Sequence, residues 1–247
     1  MNDIIKQYLC KHRFEKFIPK TVLFDMDGVL YNSMPNHAKA WKQCMAKHHI
    51  TMSEEEAYQY EGMRGVETIK IIAGEQWGRE VSEDEAKEIY KDKSTIYSNF
   101  APAPMIEGVY KLQQYIAERG WTIGVVTGSG QQSLLDRIQK DFLGLVKPNI
   151  MVSAKDVNHG KPCPDPYIKG MKKANVEPWQ TIVVENAPLG VRAAVAAQCF
   201  TVAVNTGPLN DDVLANEGAD IVLPSMTALK EFLQRTFPND GDNLSCL

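Results

Sequence analysis

The feature that most constrains this chain is a series of short apolar runs, rich in β-branched residues, that recur between amphipathic stretches. TVLFD (21–25), WTIGVVT (121–127), NIMVSA (149–154), TIVVE (181–185), FTVAV (200–204) and ADIVL (219–223) show no regular apolar–polar alternation. A strand with one wet face alternates, whereas a strand covered on both faces does not. Helical patterns lie between most of these runs. In EGVYKLQQYIAERG, Val109, Leu112, Tyr115 and Ile116 share a helical face and Gly120 supplies a stop. QQSLLDRIQKDF, DPYIKGMKKANV and the alanine-rich PLGVRAAVAAQ follow. Strand and helix alternating in this way imply a parallel sheet with helices on both faces, a doubly wound α/β fold.

The rhythm breaks once, between about 35 and 100, where there are helical signals and no strand. Ser53 with Glu56, and Ser82 with Glu85, have capping-box spacing, and Ala86, Ile89, Tyr90, Lys93, Tyr97 and Phe100 trace one helical face. APAP at 101–104 is a stiff connector of the kind that separates domains. These signals predict a core formed by 1–34 and 102–247 with a helical cap, 35–101, inserted into it. Residues 1–18 read as a short amphipathic helix, with Ile4, Ile5, Leu9 and Phe14 on one side, stopped by Pro19.

Composition narrows the partners. The chain has 247 residues, 44% of them hydrophobic, enough to bury a core, and its formal charge of -4 gives no broad basic footprint for nucleic acid or an anionic membrane. Cysteines at 10, 44, 163, 199 and 246 form no CxxC pair, which suits a reducing compartment and argues against a thiolate metal cluster. MNDIIKQYLCKHRFEKF lacks the continuous apolar centre of a signal peptide, no run is long enough to span a bilayer, and LSCL misplaces its cysteine for prenylation. The expectation is a cytoplasmic monomer acting on a small molecule.

Ligands of open parallel sheets bind beyond the carboxyl ends of the strands. Four strand ends carry polar groups: Asp25 and Asp27 in DMDGV, Thr127 in TGSG, Lys161 in GKPCPDPY, and Glu185 with Asn186. Two carboxylates this close repel each other unless a cation neutralises them, and Mg2+, a hard ion that prefers oxygen, does so. Asp25, a main-chain carbonyl of the Asp25–Asp27 segment and Asn186 are candidate ligands, with Glu185 acting through water. Asp25 is then the candidate nucleophile and Asp27 the candidate general acid and base. Lys161 supplies positive charge, and Thr127 with the main-chain N–H groups of Gly128 and Ser129 can donate to phosphoryl oxygens. Each group alone has a plainer reading, as a turn, a helix start or a solvated lysine. Together, at four strand ends of one sheet, they point to phosphoryl transfer.

With those residues in place, the chain resembles the haloacid dehalogenase superfamily, in the branch with a helical cap that includes β-phosphoglucomutase. The resemblance covers about 20–235 and rests on DMDGV, TGS, GKPxPxPY and ENAPLGVRAA. It implies a Rossmann-like core, phosphorylation of Asp25, acid–base work by Asp27, phosphoryl binding by Thr127 and Lys161, and closure of the cap over the site. Ser33 and His37 match the mutase's hinge-region threonine and histidine, and Lys93 falls on a cap lysine that helps bind sugar phosphate. Two departures stand out. Glu61 in EGMRG replaces a cap lysine, with only nearby Arg64 to meet a distal phosphate, and Asn186 replaces one member of an acidic pair. Losing a charge at 186 and gaining one at 61 makes Glu61 a candidate Mg2+ ligand on closure. EGMRG with NSMP, VVTGSGQ, ENAPLGV and AVNTGPL looks more like the inorganic-pyrophosphatase members of the branch, so the expected substrate is pyrophosphate or a small phosphate ester. The rival is β-phosphoglucomutase or a sugar-phosphate phosphatase. A signalling receiver module shares the acidic pocket, but it has neither the insert nor an acid–base residue at the position of Asp27, and needs about half this length.

Overall fold

The computed structural model describes residues 3–130 and 132–238, and the backbone of 244–245. Its main sheet has six strands, β2 (Thr21–Phe24), β3 (Thr122–Val126), β4 (Val146–Val152), β5 (Thr181–Glu185), β6 (Phe200–Val204) and β7 (Ile221–Leu223), in the order β4-β3-β2-β5-β6-β7. Every pairing in it is parallel. The first strand of the sheet thus lies at its centre, with the chain winding outward one way and then the other. This order places a topological switch between β2 and β5, where their carboxyl ends leave a crevice.

The unalternating strand pattern follows from coverage on both faces. Val22 and Phe24 of β2, Ile182 and Val184 of β5, and Phe200, Val202 and Val204 of β6 share one apolar cluster. That cluster also takes residues of α1 (Asp3–His12), α6 (Val109–Glu118), α7 (Gln132–Asp141) and α11 (Met226–Thr236). Leu23 and Val183 face the other way, against Tyr167 and Met171 of α8 (Asp165–Ala174) and Ala193 and Ala194 of α9 (Pro188–Ala196). The small side chains of α9 let it lie close to the sheet, as the alanine-rich sequence implies. A 3-10 turn, Pro178–Gln180, leads into β5, and α10 (Asp211–Asn216) joins β6 to β7.

Between β2 and α6 run four helices, α2 (Met34–Lys47), α3 (Glu54–Gln59), α4 (Gly65–Trp77) and α5 (Glu83–Ser98). They build an apolar cluster of their own from Trp41, Met45, Ile69, Ile72, Val81 and Ile89 among others. Ser53 forms the full reciprocal capping box with Glu56. Ser82 accepts from the Glu85 N–H, but the Glu85 carboxylate turns to Arg79 at 2.7 Å and 2.9 Å instead of returning to the cap.

The N-terminal helix is shorter than Pro19 would dictate. It ends at His12, Arg13 takes a left-handed φ of 58°, and the Phe14 N–H returns to the Leu9 carbonyl at 3.0 Å. Lys16–Phe17, β1, then pairs antiparallel with Leu244–Ser245, β8. Phe14 therefore lies beyond the helix whose apolar side it was expected to extend. Met1, Asn2, Gln131 and Cys246, which entered the sequence reading, lie outside the described residues. Among the described residues no helix is long and apolar enough to cross a membrane.

Candidate active site

All four polar strand ends meet at the carboxyl edge of the sheet. Asp25 follows β2 directly, its N–H bonded to the Val184 carbonyl at 3.0 Å, and its side chain is buried. The chain then turns back through Gly28, at φ 78°, where a Cβ would fall 2.0 Å from the Asn186 amide nitrogen. Only glycine fits there, on both conformational and steric grounds.

Lys161 is the hub beneath Asp25. Its Nζ donates to Asp25 Oδ1, to Glu185 Oε1 at 2.6 Å and to the Val126 carbonyl at 3.2 Å, so a fully buried ammonium has all three protons placed. Glu185 also accepts from the Tyr167 hydroxyl and, at Oε2, from the Asn186 N–H at 3.1 Å. Gly190 makes room for it, since a Cβ there would sit 2.0 Å from Glu185 Oε1. Glu185 is thus placed as an ion-pair partner of Lys161. Tyr167, the last letter of the GKPCPDPY motif, is a site residue that sequence reasoning missed, because an aromatic residue in the first turn of a helix reads as core.

Asp27 has a different neighbourhood. Ser33 donates its hydroxyl to Asp27 Oδ1 at 2.6 Å, and His37 Nε2 lies 3.1 Å from the same oxygen. Ser33 occupies the N-cap of α2 but makes no capping bond, because its backbone is helical (φ -93°, ψ -17°) instead of extended and its side chain turns to Asp27. Lys93 Nζ sits 2.6 Å from His37 Nδ1, and the imidazole stacks on Tyr97 with centroids 4.1 Å apart. An ammonium donating to Nδ1 leaves the imidazole proton on Nε2, where it faces Asp27. Burial among Trp41, Tyr90 and Tyr97 pushes the Lys93 ammonium down to about 8.

Charge is distributed unevenly over this set. Burial raises Asp25, Lys161 opposes it, and Glu185 and Asp27 add to it, leaving Asp25 at about 7. Burial also pushes Asp27 up, but His37, Ser33 and Lys93 together outweigh it and hold Asp27 below the usual carboxylate range. Glu61, brought in by the loop between α3 and α4, is raised well above its usual range by burial and by the charges of Asp25, Asp27 and Glu185. Asn186 donates to both Glu61 oxygens, at 3.2 Å and 3.4 Å, while its own Oδ1 is buried with no partner.

Those observations bear on the expected cation. Among the described residues no three His, Cys, Asp or Glu side chains form a ready-made metal cluster. The available donors are instead carboxylate, amide and main-chain oxygen. An orphaned amide oxygen beside carboxylates that repel one another fits a hard divalent ion.

The insert lies over the core. A Cβ at Gly128 would meet the Gly62 carbonyl at 2.8 Å, and one at Gly62 would lie 3.1 Å from the Lys161 side chain. Between them remains a cavity of about 60 Å³, lined by Asp25, Asp27, Glu61, Lys93, Gly128 and Ser129 among others. At about 10–15 Å³ per water, it holds about five waters. Thr127 is buried beside it, accepting from the Ser129 N–H at 3.0 Å and keeping its hydroxyl proton to donate. Arg64 does not line the cavity; it reaches across the seam to the Asn158 carbonyl at 2.7 Å and pairs with Glu67 at 3.5 Å.

Residues 22–204 match the profile of the haloacid dehalogenase-like hydrolases. Hexitol phosphatase A of Escherichia coli (strain K12) is 30% identical over 84% of this chain and 91% of its own. The β-phosphoglucomutase of Bacillus subtilis (strain 168) is 25% identical over 83% and 92%. A solved structure from Bacteroides vulgatus, provisionally assigned as a β-phosphoglucomutase, is 44% identical, covers 96% of each chain and superposes with a TM-score of 0.91. The chain belongs to the haloacid dehalogenase-like hydrolase family, and its parallel α/β fold is that of the family's solved members.

Proposed function

We propose that this protein is a Mg2+-dependent phosphohydrolase that works through an aspartyl phosphate on Asp25, with inorganic pyrophosphate or a similarly small phosphate compound as substrate. The observation that carries the reading is Glu61: a buried carboxylate reaching from the helical insert to Asn186, at the position where the resemblance implies a sugar-phosphate-binding lysine. Asp25, the main-chain carbonyl of Asp27, Asn186 Oδ1 and Glu61 would hold the cation. When bound, the ion neutralises the carboxylates and withdraws charge from the phosphoryl oxygens.

Asp25 Oδ1 is taken by Lys161, which leaves Oδ2 to attack phosphorus. That bond forms as the bond to the leaving oxygen breaks. The Thr127 hydroxyl and the Gly128 N–H serve the phosphoryl oxygens, where charge builds, while Lys161, its three protons already placed, acts on them through its charge and the Ser129 N–H holds Thr127 in position. Water then attacks the aspartyl phosphate, Asp27 takes its proton, and Asp25 is released with phosphate. Asp27 held ionised by Ser33 and His37 suits this second step. It also suits a leaving phosphate, a weak base that departs with little help, better than a sugar alkoxide, which must be protonated as it leaves.

A sugar-phosphate phosphatase or mutase is the second reading, supported by the Lys93–His37–Asp27 chain, which could return a proton to Asp27, and by the named activities of the relatives. The purified protein with Mg2+ should turn over pyrophosphate with a kcat/KM at least about tenfold above hexitol phosphates and β-glucose 1-phosphate. Faster hydrolysis of a hexitol phosphate, or conversion of β-glucose 1-phosphate to glucose 6-phosphate with negligible pyrophosphate turnover, establishes the second reading instead. Glu61→Gln should weaken Mn2+ binding, read by spin resonance as free ion, by about tenfold or more. Unchanged binding removes Glu61 from the ligand set.

A further inference from the structure

One more strand end reaches the site, that of β6. Thr206, two residues beyond it in AVNTGPL, donates its hydroxyl to the Gly28 carbonyl at 2.6 Å. Gly28 immediately follows Asp27, is buried, and is pressed from its other side by Asn186. Asp27 itself lies in no strand. Its main chain is carried by the turn after β2, in which the Gly28 N–H bonds to the Tyr31 carbonyl at 2.7 Å and the Leu30 N–H to the Met26 carbonyl at 2.8 Å. Ser33 and His37 fix the Asp27 side chain, but they fix its position in the site only if that turn stays where it is.

The loop that delivers Thr206 is itself braced. The Asn205 N–H continues the sheet to the Leu223 carbonyl at 2.9 Å, and its side-chain amide donates to the Leu209 carbonyl at 2.8 Å and to Asp211 at 2.6 Å. The same loop meets the helical cap, since a Cβ at Gly207 would lie 3.5 Å from the Tyr58 ring of α3. Helical insert and acid–base turn therefore touch adjacent residues of one hydrogen-bonded loop.

We propose that Thr206 is a positioning residue, which pins the Gly28 peptide and through it holds Asp27 at the distance proton transfer requires. The inference rests on the acid–base role of Asp27 proposed above. A buried carbonyl left without its donor relaxes toward water, and a displacement of about 1 Å at a catalytic group lowers a rate by about a hundredfold. Thr206→Val removes the donor and keeps the shape, and Thr206→Ser restores the donor.

The test combines amide hydrogen exchange over 26–31 with steady-state kinetics on pyrophosphate and p-nitrophenyl phosphate. In T206V, protection of the turn should fall by about tenfold or more while that of α11 is unchanged, and kcat should fall about 10- to 100-fold with KM within about threefold. T206S should recover both. Wild-type kcat in T206V, whatever its exchange, overturns the proposal, as does a kcat loss that T206S does not recover. A wild-type protein that turns over no phosphate substrate fails at the earlier step, the functional reading, and takes the positioning role with it.

Discussion

Asp25 and Asp27 stand two residues apart, yet their surroundings drive their acidities in opposite directions. Burial and the Glu185 charge hold a proton near Asp25, while His37, Ser33 and Lys93 strip one from Asp27. What keeps Asp25 serviceable is the buried ammonium of Lys161, which it shares with Glu185. Lys161→Met should therefore do two things. It should lower turnover by at least about a thousandfold, and it should destabilise the fold by about 3–5 kcal/mol, because two carboxylates are left buried without their cation. Denaturant unfolding beside single-turnover kinetics checks both, and a stable, inactive variant would show that the pair is tolerated without the lysine. Asp25, Asp27, Thr127, Lys161, Glu185 and Asn186 were legible in the sequence because each follows a strand that announces itself. Tyr167 and Thr206 were not, because their roles depend on what faces them from another element.

At the scale of elements, all six main strands could be read, since unbroken β-branched runs bounded by turns have few other uses. The helices α10 and α11 have weaker signatures: the first has only six residues, and the second lies after the last strand, beyond every motif that marks the site. The N-terminal helix was read too long because proline is a visible stop, whereas the left-handed Arg13 that ends it carries no sequence signature. Capping offers a measurable contrast. Ser53→Ala and Ser82→Ala each remove one hydroxyl acceptor and should cost about 1 kcal/mol apiece, whereas Glu56→Ala, which removes the return bond from the Ser53 N–H at 2.6 Å, should cost about 0.5–1 kcal/mol; no loss in Glu56→Ala would show that the return bond contributes nothing. A further contrast lies in α6, where Gln113 is fully buried with neither end of its amide paired. Gln113→Met should raise stability by about 1–2 kcal/mol, and a lowered denaturation midpoint would mean the amide is satisfied in solution by buried water.

For the whole molecule, the decisive property is that three acidic side chains, Asp25, Glu61 and Glu185, lie buried in one site with Lys161 and Lys93. Asp25 is raised from 3.8 to about 7 on folding, and Glu61 is raised well above its usual 4.5. Between pH 4 and 7 the folded protein therefore keeps protons that the unfolded chain has released, so stability contributed at low pH is lost as pH rises. Asp27 works in the opposite sense only as pH falls below its usual value of 3.8, outside that window, and His37, held below its usual 6.5 chiefly by burial, opposes the trend inside it as one group against the two carboxylates Asp25 and Glu61. A divalent cation bound as proposed would reverse the trend, because it would bind the deprotonated carboxylates and stabilise the folded state in proportion to its affinity there. The thermal midpoint of the metal-free protein should fall between pH 4.5 and 7.5, and the increase produced by millimolar Mg2+ should be larger at pH 7.5 than at pH 4.5. Glu61→Gln should flatten the metal-free profile and reduce the Mg2+ increment together, since one carboxylate causes both. A flat metal-free profile, or an increment that grows as pH falls, would mean that the cap carboxylate and the core carboxylates do not share a cation.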